Sequence, residues 1–77
     1  MACRVGMSRD PYARIQHWKD VEGHTYGKVL YENLTYDGAL AKEKEEAASR
    51  GCHHEPGGAR TSTRDWAVYY VSGGTIK

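Results

Sequence analysis

The sequence has no phenylalanine, only two prolines and two cysteines, and a formal charge of just +1 over 77 residues. Without Phe, a core must be assembled from Tyr, Trp, Val, Leu, Ile and Ala, and a hydrophobic fraction of 39% leaves little of that material. A fold of this size buries only about 60% of the surface its unfolded chain exposes, so modest stability or help from self-association is expected. The near-zero charge gives no global sign of a polyanion partner, although a local basic patch remains open. Cys3 and Cys52 are too few for a disulfide framework, and no charged start followed by an apolar run marks a signal peptide. Reduced thiols and a cytoplasmic setting are therefore expected. No apolar stretch approaches the roughly 20 residues that span a bilayer, so no membrane partner is expected.

What is present reads as one domain over residues 1–77. Ala2 to Met7 forms a short strand, and Asp10 followed by Pro11 starts a helix that runs to about Asp20, with Ile15, Trp18 and Val21 on one stripe. Lys28 to Leu34 has strand composition, and Thr35 caps a second helix that Gly51 stops. In that helix Tyr36, Ala39, Leu40 and Ala47 share a face, Lys42, Lys44, Glu45 and Glu46 point away, and Glu43 falls in the middle of the apolar stripe. A carboxylate there costs several kcal/mol in order of magnitude unless a cation, a metal or a proton compensates it. Cys52 to Asp65, rich in Gly, Ser, Thr and His, reads as a long loop. Trp66 to Ser72 is the strongest strand in the chain, and Gly73-Gly74 then begins a turn whose second half is missing.

Joining Lys77 to Met1 supplies that second half. The text then runs Trp66-Ala-Val-Tyr-Tyr-Val-Ser-Gly-Gly-Thr-Ile-Lys77 into Met1-Ala-Cys-Arg-Val-Gly-Met-Ser-Arg-Asp-Pro-Tyr-Ala-Arg14. In this order it resembles the GIY-YIG nuclease superfamily, circularly permuted. Ala67-Val68-Tyr69 stands at the first motif and Arg4-Val5-Gly6 at the second. Arg14 follows Gly6 by eight residues, and Glu43 lies in the last helix. The resemblance implies an α+β fold with a three-stranded antiparallel sheet flanked by two helices.

It also implies phosphodiester hydrolysis of DNA or RNA with one divalent cation, Mg²⁺ or Mn²⁺. In that scheme Tyr69 helps activate the attacking water, Arg14 holds the scissile phosphate, and Glu43 binds the metal. Several members carry a His or Tyr four residues after the arginine, where this chain has Trp18; His17, one position short, is the neighbouring catalytic candidate. His53, His54 and Glu55 stand where members often place an Asn. Arg4, Arg9, Lys28, Arg60 and Arg64 extend the candidate phosphate contacts.

Plainer readings stand beside these. Arg4 replaces the second-motif tyrosine and Ala67 the first-motif glycine, which favours a catalytically inactive relative that binds nucleic acid or a protein partner. Glu43 reads equally well as half of an ion pair with Arg4 or Arg14, and Arg14 as a side chain lying over Trp18. Cys52-His53-His54, even with Cys3 nearby, lacks the ligand spacing of a closed zinc site and is more simply a loop with solvated imidazoles. A third reading makes the loop from Cys52 to Thr63 the grip of an interaction protein. A chain that starts and ends mid-hairpin also admits a homodimer formed by strand exchange.

Overall fold

A computed structural model describes residues 3–55 and 58–73, the side chain of Glu55 excepted. In chain order the elements are β1 (Cys3–Ser8), α1 (Pro11–Glu22), β2 (Tyr26–Leu34), α2 (Tyr36–Arg50), β3 (His53–Glu55) and β4 (Trp66–Ser72). The fold is α+β, with two helices and one mixed sheet. The helix boundaries follow from their ends. Asp10 accepts from the Ala13 amide at 3.3 Å and Thr35 from the Gly38 amide at 3.1 Å, satisfying first-turn N–H groups that have no helical partner. Gly23 and Gly51 close the two helices with φ of 75° and 67°, a left-handed conformation that glycine adopts without Cβ strain.

The strand order is β2-β4-β1-β3, with β4 antiparallel to both β2 and β1, and β3 parallel to β1. This corrects the expected three-stranded antiparallel sheet. The additional strand, His53–Glu55, lies inside the segment read as loop, and it forms because α2 returns the chain alongside β1, pairing Arg4 with His53 and Val5 with His54. The pairing also brings Cys3 and Cys52 opposite each other, and they form a disulfide with a Cα–Cα distance of 5.0 Å. The expected pair of reduced thiols is thereby corrected.

Alternation along β4 divides the interior in two. Trp66 and Val68 pack with Val5, Met7, Ala39 and Ala47 beneath α2, whereas Tyr69 and Val71 pack with Ile15 beneath α1. The close approach of α1 depends on Gly27, where a Cβ would lie 2.5 Å from Ile15 Cγ2. Because β4 and β1 pair within one chain, the described sheet needs no strand from a second copy. The hairpin tip that would join Lys77 to Met1 lies outside the described residues. Among the described residues, no helix is long and apolar enough to cross a membrane.

Candidate functional site

Alternation and register place the two motif strands side by side, with Gly6 opposite Tyr69. The absence of a side chain at Gly6 lets the Tyr69 ring lie across β1, since a Cβ there would overlap the phenol oxygen. Tyr69 is 1% exposed, and its hydroxyl accepts a hydrogen bond from Trp18 Nε1 at 2.8 Å. Trp18 reaches it from α1, one turn beyond Ile15.

Trp18 is itself surrounded by cations. The Arg4 guanidinium lies 4.1 Å from the indole centroid and that of Arg14 lies 5.5 Å away, while the His17 ring meets the indole edge-on at 4.8 Å. Arg4 also donates to Glu22 at 2.9 Å, which ties the start of β1 to the end of α1. Arg14 and His17 are exposed. Three of the four residues assigned to chemistry by the resemblance, Tyr69, Arg14 and His17, thus gather around Trp18, on the α1 face.

Glu43 does not join them. It occupies the α2 stripe between Ala39 and Ala47, is 0% exposed, and lies on the opposite face of the sheet from Tyr69. Its Oε1 is 3.0 Å from Nδ1 of His54, which extends from β3 on the same face as Val5. A divalent cation on Glu43 fits these surroundings poorly, because the carboxylate is enclosed by α2 and the sheet. Among the described residues, moreover, no three His, Cys, Asp or Glu side chains converge. Cys52 is committed to its disulfide, so the Cys52-His53-His54 run carries no thiolate.

The remaining candidate phosphate contacts are dispersed. Arg9 pairs with Asp65 at 2.7 Å, and this contact, helped by Thr63, holds the Asp65 carboxyl below the ordinary aspartate range. Arg60 pairs with Asp37 at 2.6 Å and lies over Tyr36. Arg64 is exposed, as is Lys28, but Lys28 pairs in register with Tyr70 and so projects from the α2 face. Arg9 and Arg14 do share one cleft, about 560 Å³, which opens beside the start of α1 and has Ser8, Asp10 and Trp66 in its walls.

The sequence reading paired Glu43 with a metal or an arginine and missed His54 as its neighbour. The only signal was the alternation of His53 and His54 across a strand that the sequence does not announce. Trp18 as the partner of Tyr69 was missed for a similar reason, since a helical stripe does not say which strand residue lies beneath it. No family model matches this chain, and no curated protein or solved structure matches it.

Proposed function

We propose that this protein is a nucleic-acid-binding module built on a permuted GIY-YIG-like arrangement of strands, without a hydrolytic centre. One observation carries the reading: Trp18 covers Tyr69 and occupies its hydroxyl, while Arg4 and Arg14 lie against the same indole. A tyrosine meant to orient an attacking water must reach solvent, and this one is buried under a hydrogen-bonded ring. What the covering produces instead is a partly exposed aromatic ring flanked by arginines, the combination that stacks on bases and holds phosphates.

The placement of Glu43 supports the same conclusion. A metal-assisted mechanism needs its carboxylate, its arginine and its nucleophile-orienting group around one phosphate. Here the sheet stands between Glu43 and Arg14, so Mg²⁺ or Mn²⁺ has no role in this reading. The antiparallel neighbours β4 and β1, and the succession of α1, β2 and α2, support the family resemblance, whereas the parallel β3 departs from it.

The test combines fluorescence anisotropy on labelled single- and double-stranded DNA and RNA with a cleavage assay in Mg²⁺ and in Mn²⁺. Expected are salt-sensitive binding without cutting, and weaker binding in Arg14→Ala, with the salt slope reduced by about one. Metal-dependent cutting that disappears in Glu43→Gln would restore the hydrolase reading. Absence of binding to every substrate would remove nucleic acid as the partner.

A further inference from the structure

We propose that the corner of the sheet formed by β2 and β4 on the α2 side is a stacking platform for single-stranded nucleic acid. It adopts the ligand class proposed above but depends on none of the residues around Trp18.

The platform exists because α2 does not cover the whole sheet. Among the described residues, α2 packs chiefly over β1 and β4, while α1 covers the other face of β4 and β2, so the α2-side face of β2 carries little helical cover. Register places Tyr26 opposite Ser72 and Lys28 opposite Tyr70, all on that face. Tyr26 is 48% exposed, and its ring meets Tyr70 edge to face with centroids 6.0 Å apart. Tyr70 thereby buttresses Tyr26 and leaves about half of it exposed. A large aromatic ring held this way and half exposed is positioned to receive another flat ring.

Two cations border Tyr70. Lys28 is exposed beside Tyr70, and the Arg50 guanidinium lies 4.7 Å from the Tyr70 centroid. Arg50 is held there by Glu46, which it contacts at 2.9 Å and which also accepts from the Tyr31 hydroxyl at 3.0 Å. That arrangement positions the guanidinium and absorbs part of its charge, so Lys28 is the main phosphate contact. No carboxylate lies within ion-pair distance of Lys28 among the described residues.

The pairing of an exposed aromatic with an exposed lysine matches an unpaired base and its adjoining phosphate. A duplex hides its base faces, so this surface selects single strands.

The experiment is anisotropy with labelled oligo(dT), oligo(U) and a duplex, each of about 12 nucleotides, at two salt concentrations, using wild type, Tyr26→Ala, Tyr26→Phe, Lys28→Ala and Arg14→Ala. Expected are a preference for the single strands, about a tenfold loss in Tyr26→Ala and retention in Tyr26→Phe, since stacking needs the ring and not the hydroxyl. Lys28→Ala is expected to lower the salt slope by about one. Lys28 is exposed, so Lys28→Ala should keep the wild-type melting temperature, whereas Tyr26→Ala forfeits the ring contact with Tyr70 and should melt a few degrees lower in a single cooperative transition, which serves as the control for folding. Wild-type affinity in Tyr26→Ala and Lys28→Ala, with loss confined to Arg14→Ala, overturns the platform and leaves the Trp18 surface as the binding site. Loss in Tyr26→Ala with full binding in Arg14→Ala supports the platform and overturns the Trp18 surface. Failure of the wild type to bind any oligomer overturns both.

Discussion

Gly6, Tyr69 and Trp18 are packed as a unit, the Tyr69 ring lying across Gly6 and its hydroxyl accepting from Trp18 Nε1. Gly6→Ala would drive a methyl group into a buried phenol that has no room to retreat, so a loss of about 1–3 kcal/mol is expected in urea unfolding. Trp18→Phe keeps most of the apolar cover but leaves the Tyr69 hydroxyl without its 2.8 Å donor, a loss of about 1 kcal/mol by the same measurement. The two effects should couple, because both act on the position of one ring, and the double variant should depart from the sum of the singles. Gly6 could be singled out from the sequence as part of a motif. Its physical reason, the ring lying across it, required the register between β1 and β4.

Among the elements, the helices were read from their ends because capping is local chemistry. Thr35→Ala removes the acceptor for the Gly38 amide and should cost about 1 kcal/mol in thermal or urea unfolding. Two carboxylates connect elements and make stability depend on pH. Arg50 and then Tyr31 hold Glu46 below the ordinary glutamate range, and Arg9 does the same for Asp65. Both folded values are lowered. Their contribution is therefore present above the unfolded carboxylate values and is lost as pH falls through the folded ones. Solvent screens both pairs, so the effect is small. Melting temperature should fall on acidification through and below the carboxylate range, and less steeply in a Glu46→Gln, Asp65→Asn variant.

The molecule as a whole is closed by Cys3–Cys52, which links the start of β1 to the residue before β3 across a sequence separation of 49. Replacing both cysteines by serine should cost roughly 4 kcal/mol if the bridge acts through the entropy of the unfolded chain, measured by urea unfolding of the two proteins side by side. The sequence by itself determined the α+β class, two helices with their caps, three of the four described strands and the placement of Glu43 on an apolar stripe. Each of these follows from periodicity or from groups a few residues apart. Only the tertiary structure decided the parallel β3, the disulfide, the Glu43–His54 contact and the face on which each candidate side chain lies. These depend on which strands become neighbours and in what register, and a strand of three residues paired with one some 49 residues away leaves no local periodic mark. The separation of Glu43 from Tyr69 and Arg14 has the same origin, because proximity along a motif carries no information about which side of a sheet a helix will cover.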